Sequence, residues 1–157
     1  MSQMSSVHAA SKGTFSKILV AVDGSNNSRR AFDVASTLAK GQNAELVLVN
    51  VIPLPIMSGE AYPSLNLADY LDVTKKDAKN ILDNLAEQAR ANNINVSTEI
   101  VEGMTSTVYA ITRYAEEHNV DLIVVGTRGL GGFKKLVLGS VSSGVLNHAT
   151  CSVFVAR

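Results

Sequence analysis

The sequence predicts an α/β protein built on an open five-stranded parallel sheet with helices on both faces, a Rossmann-like arrangement. Three observations carry this. Short apolar runs rich in branched residues recur at Ile18–Val22, Leu46–Val51 and Leu122–Val125, as in strands buried on both faces. Stretches of helical period lie between them. The resulting order, β-α-β-α-β-α-β-α-β, implies right-handed crossovers between mostly parallel strands.

Each element has its own signal. Met1 to Ser16 hold five serines and no acidic residue; residues 1–16 are expected to be a flexible tail without a secretory signal, ahead of one domain over 17–157. After the first strand, Asp23-Gly24-Ser25-Asn26-Asn27 reads as a turn. A helix is expected from Ser28, with Ala31, Val34, Ala35, Leu38 and Ala39 inward. Ser25 or Asn27 can cap it and Gly41 is placed to stop it. Pro53 and Pro55 end the second strand, and Pro53 to Pro63 reads as a loop around Gly59. A long helix follows, opened by Ser64 or Asn66 and closed by Asn92-Asn93, with a stripe of Leu67, Leu71, Ala78, Ile81, Leu82, Leu85 and Ala89. Val96 to Val101 mixes apolar and polar residues along most of its length, unlike the first two strands, which fits an edge strand with one wet face. Thr105 or Ser106 caps the next helix. Ser140 to His148 forms a short helix, and Val153-Phe154-Val155 a last strand.

Composition narrows the function. The 157 residues suit one domain and are short for two. Lys and Arg number 14, as do Asp and Glu, so no broad basic face is available to grip nucleic acid or an anionic membrane. The content is 46% hydrophobic against 18% charged, which excludes disorder over most of the length. Cys151 is the one cysteine and has no internal partner for a disulfide. No apolar run approaches the roughly 18 to 20 residues of a membrane span, and the expected compartment is the cytoplasm.

A neutral chain can still bind a small polyanion at one site. Ligands of open parallel sheets sit outside the carboxyl ends of the strands, where the winding reverses. There the chain reads Gly126-Thr127-Arg128-Gly129-Leu130-Gly131-Gly132, then Gly139-Ser140-Val141-Ser142. Five glycines within these 14 positions exceed what one tight turn requires. Glycines let the backbone approach a ligand, successive N–H groups form an anion nest, and a helix start at Gly139-Ser140 favours phosphate. Other nucleotide and catalytic motifs are missing. There is no G-x-x-x-x-G-K-[ST], no G-x-G-x-x-G after the first strand, no H-E-x-x-H and no G-x-S-x-G. With three scattered His and one Cys, a metal site made by protein ligands alone is not expected.

Gly126-x2-Gly129-x9-Gly139-Ser140 resembles the ATP-binding signature of the universal stress protein family. Lys17 to Ser25 is similar to that family's first strand and acidic turn, Glu116 to Gly129 to its long C-terminal block, and Ala149 to Val155 to its last strand. The fold this implies is adenine nucleotide alpha hydrolase-like. The resemblance implies that Ala21 and Asp23 lie at the ribose and adenine end, and that Val51 packs on the adenine. It implies that Gly126, Thr127, Arg128 and Gly129 wrap ribose and phosphates, and that Gly139, Ser140, Val141 and Ser142 bind the phosphates. The ligand implied is ATP, with AMP or a cyclic nucleotide as alternatives, and Mg²⁺ or Mn²⁺ held through phosphate oxygens. Ser152 stands where the family usually has proline. The apolar end strand Val153-Phe154-Val155 attracts a partner, and family members commonly dimerise by pairing it, so a homodimer is expected.

The leading expectation is thus a nucleotide-responsive stress or signalling module. A slow ATPase or self-phosphorylating enzyme, and a structural dimer that has lost its nucleotide, remain as alternatives. Taken singly, Asp23 reads as a turn residue, Val51 as core and Arg128 as a solvated loop charge.

Overall fold

A computed structural model describes residues 13–54, 66–104, 106–128 and 138–157. The elements are β1 (Lys17–Ala21), α1 (Asn26–Gln42), β2 (Glu45–Pro53), α2 (Leu67–Ala91), β3 (Val96–Met104), α3 (Thr107–Glu117), β4 (Leu122–Gly126), α4 (Ser140–His148) and β5 (Ser152–Ala156). All five strands are parallel, in the order β3-β2-β1-β4-β5. The chain winds outward from β1 to β3, then crosses back to β4 and β5. The reversal therefore falls between β1 and β4, the place where such sheets hold ligands.

Strand alternation explains the unbroken apolar runs. Ile18, Val20, Leu46, Leu48, Leu122 and Val124 point to a core shared with Ala31, Phe32 and Ala35 of α1 and Leu82, Leu85 and Ala86 of α2. Leu19, Val47, Val49, Ile123 and Val125 point the other way, to Ile111 and Ala115 of α3 and Val145 of α4. A strand covered on both faces is apolar at nearly every buried position, Asn50 of β2 being the exception. β3 is an edge strand, as its mixed pattern suggested, with Ser97, Thr98 and Glu99 exposed. β5 forms the other edge, with Val153 and Val155 half-buried and Phe154 exposed. No described helix is long and apolar enough to cross a membrane.

Several boundaries differ from expectation. α1 begins at Asn26, capped by Ser25, two residues before Ser28. It does not stop at Gly41 but runs to Gln42, and Asn43 makes the left-handed turn at φ 53°. A short polar side chain tolerates that conformation nearly as well as glycine. Leu67 of α2 is exposed, while Ala86, absent from the expected stripe, is fully buried. Ordered contacts also start before Lys17, within the end of the stretch 1–16 that was expected to be a flexible tail. Phe15 donates its N–H to Gln42 Oε1 at 2.8 Å, and Ser16 donates its own to Asp121 Oδ2 at 2.8 Å. Gly59 and most of the Pro53–Pro63 loop lie outside the described residues.

Candidate functional site

The carboxyl end of β1 leads into a turn satisfied from within. Gly24 sits at φ 84°, a conformation that costs glycine little and other residues much. Asp23 Oδ1 accepts the Ser25 N–H at 2.9 Å, an Asx turn. Ser25 Oγ accepts the Ser28 N–H at 3.1 Å, while Ser28 Oγ donates to the Ser25 carbonyl at 3.0 Å. The Asp23 N–H in turn donates to Ser28 Oγ at 3.3 Å. The turn is held from β2 as well, because Asn50 Nδ2 donates to the Val22 carbonyl at 2.9 Å. Asn50 is buried, and a buried carboxamide must find partners. Sequence reading missed Asn50 and Ser28. The signal for Asn50 was there: a lone polar residue inside the apolar run Leu46–Val51.

The carboxyl end of β4 is built on close approach. A Cβ on Gly126 would lie 2.7 Å from the backbone carbon and oxygen of Asn27. The first turn of α1 thus rests directly on the end of β4. Thr127, also buried, donates its N–H to the Ala156 carbonyl of β5 at 3.1 Å. Its own carbonyl receives two bonds, from the Gly139 N–H at 2.6 Å and from Ser142 Oγ at 3.0 Å. A Cβ on Gly139 would meet that carbonyl oxygen at 3.2 Å, so glycine suits this contact by its size. Gly139 itself has an ordinary extended backbone, φ −73° and ψ 168°.

α4 then starts without a side-chain cap. The other three helices each have one: Ser25 for α1, Asn66 for α2 and Ser106 for α3. Ser140 is exposed, Val141 half-buried and Ser142 buried. No acidic residue occupies the first turn of α4. Among the described residues no side chain caps its leading N–H groups, and the positive end of its dipole lies at the carboxyl end of the sheet.

The expected site residues sit as follows. Ala21, Val51 and Val141 are partly buried against the α3/α4-side core and share that face. Thr127, Gly139 and Ser142 are in direct contact, and Gly126 abuts Asn27. Asp23 stands at the β1 turn, and Arg128, half-buried, follows Thr127. Gly129 to Gly132, with Lys134 and Lys135, lie outside the described residues. Among the described residues no group of three His, Cys, Asp or Glu side chains could hold a metal ion.

Such a sheet, reversing beside a glycine-lined helix start, defines a doubly wound α/β domain, a class that binds its ligands at the switch point. Comparison with known proteins makes this specific. The profile of the universal stress protein family matches residues 14–157, and the chain belongs to that family. It is 37% identical over 149 residues to the universal stress protein YxiE of Bacillus subtilis, covering 91% of this chain and 99% of that one. The universal stress protein UspA from Lactobacillus plantarum superposes with a TM-score of 0.81 at 31% identity, covering 91% and 98% of the two chains. A universal stress protein in complex with cAMP matches with a TM-score of 0.66 at 25% identity, covering 91% and 97%.

Proposed function

We propose that this protein binds an adenine nucleotide, ATP in the first place, in the crevice between the ends of β1 and β4. Occupancy would alter its contacts with partners, making it a nucleotide-responsive stress protein of the cytoplasm. The observation that carries this is the bare start of α4. It is the one described helix whose first turn has no side-chain cap, and it follows the glycine signature Gly126-x2-Gly129-x9-Gly139-Ser140. Free N–H groups at a helix start bind phosphate without a net positive chain. The cAMP-bound relative supports the choice of an adenine nucleotide.

In this reading Ala21, Val51 and Val141 offer apolar surface to the base and ribose, and Asp23 stands by the ribose end. Thr127, Arg128 and Gly129 follow the ribose and phosphates. Gly139, Ser140, Val141 and Ser142 form the phosphate end, where Ser140 is exposed and can donate directly. Mg²⁺ or Mn²⁺ would be held by phosphate oxygens and water, the usual way Mg²⁺ meets nucleotides. The edge strand β5, with Phe154 exposed, would pair with a second copy to make a homodimer.

The test is calorimetry and thermal shift on the purified protein with ATP, AMP and cAMP, with and without Mg²⁺. A ligand present at a hundred times its Kd stabilises the native state by about 2.7 kcal/mol, a readily measured rise in melting temperature. If no adenine nucleotide raises it, the proposal is wrong.

A further inference from the structure

We infer that Ser142 is a positioning residue, a clamp that sets the start of α4 against the end of β4, and that it makes no direct contact with the ligand. Its hydroxyl is buried within the protein, with the residue 2% exposed. Oγ lies 3.0 Å from the Thr127 carbonyl and 3.0 Å from the Gly139 carbonyl. A serine hydroxyl has one hydrogen, and both acceptors available to it belong to the backbone. Donation to a phosphate would draw the hydroxyl away from both, and the Thr127 carbonyl would then hold the start of α4 through the Gly139 N–H alone.

The geometry gives the clamp a specific task. The Thr127 carbonyl is the common acceptor for the Gly139 N–H at 2.6 Å and for Ser142 Oγ. These bonds come from two points almost a helical turn apart, so they fix the orientation of the first turn of α4 as well as its distance from β4. The missing Cβ of Gly139 permits the approach, since it would stand 3.2 Å from the same oxygen. Thr127 is itself anchored to β5 through Ala156. The leading N–H groups at the helix start are thereby aimed by a chain of bonds running β5, Thr127, Ser142. In this division of roles Ser140 meets the ligand and Ser142 holds the turn from behind.

Ser142→Ala tests this, with Ile111→Val as a control. Ile111 is fully buried in the α3/α4-side core and outside the clamp. Amide hydrogen exchange at Gly139 should quicken about tenfold in Ser142→Ala and stay as in wild type in Ile111→Val. Resting on the nucleotide reading above, ATP affinity should fall about tenfold in Ser142→Ala. It should stay within about twofold of wild type in Ile111→Val, although both variants melt lower. Unchanged Gly139 exchange in Ser142→Ala overturns the clamp. So does an equal loss of affinity in the two variants, which would make the effect one of general stability. If wild type binds no adenine nucleotide, the nucleotide reading fails, and Gly139 exchange alone decides whether the clamp stands.

Discussion

α1 and α4 follow neighbouring strands and begin at the same end of the sheet, yet they begin in opposite ways. α1 closes on itself: Ser25 caps Ser28, Ser28 bonds back to Ser25, and Asp23 holds Ser25. α4 has glycine at its cap position and no side-chain cap bond, while Ser142, a turn inside, bonds backward to Thr127. The first arrangement uses its polar groups for folding. The second fixes the helix in place without a side-chain cap from any described residue on its foremost N–H groups. Two helix starts side by side can thus differ in what they do with their polar groups, one bracing its own turn and the other docking on the neighbouring strand.

Substitutions can break this contrast. The largest effect is expected at the contact joining the two sides. Gly126→Val forces side-chain atoms into the Asn27 backbone and should cost about 3 kcal/mol as overpacking. Denaturant unfolding should show it as a lower midpoint at unchanged slope. Gly139→Val comes next. It crowds the Thr127 carbonyl at the start of α4 and should remove the ATP-induced thermal shift, a loss of about 2.7 kcal/mol of ligand stabilisation at a hundredfold excess over Kd. An ATP shift as large as in wild type would show that the start of α4 is not the phosphate site. Ser25→Ala removes the α1 cap and should cost about 1 kcal/mol, seen as a melting temperature lower by roughly 3 °C. Its ATP affinity should suffer less than that of Gly139→Val, and the reverse order would erase the distinction between the two helix starts. The smallest effect concerns Cys151. Burial pushes its thiol pKa up, so less thiolate is present at any given pH than in a free cysteine. Alkylation of the native protein at neutral pH should run slower than that of a small thiol and quicken on unfolding.

The fold was legible because its signals are local. Each central strand is a short, almost wholly apolar run, and each helix carries its own period. Boundaries were less so, since Gly41 and Asn43 both qualify to end α1 and only the tertiary structure chooses. In the site, the glycines announced themselves but their tasks did not. The constraint on Gly126 comes from Asn27, ninety-nine residues away in sequence and in contact only through the fold. Ser142 reads as one more hydroxyl near a phosphate motif, and nothing in its neighbours reveals that Thr127 claims it. Asn50 was visible as an oddity in an apolar run, without a sign that Val22 was its partner.

The left-handed asparagines bear on how this protein can be altered. Asn43, Asn93 and Asn119, at φ 53°, 60° and 53°, follow α1, α2 and α3 and lead into β2, β3 and β4. All three turns lie at the amino end of the sheet, across its full length from the crevice. Glycine is the residue most at ease in that conformation, so each position offers a route to a hardier protein that leaves the ligand end untouched. These turns and the proposed nucleotide site lie at opposite rims of one sheet, so the turns can be engineered without touching the residues proposed to bind.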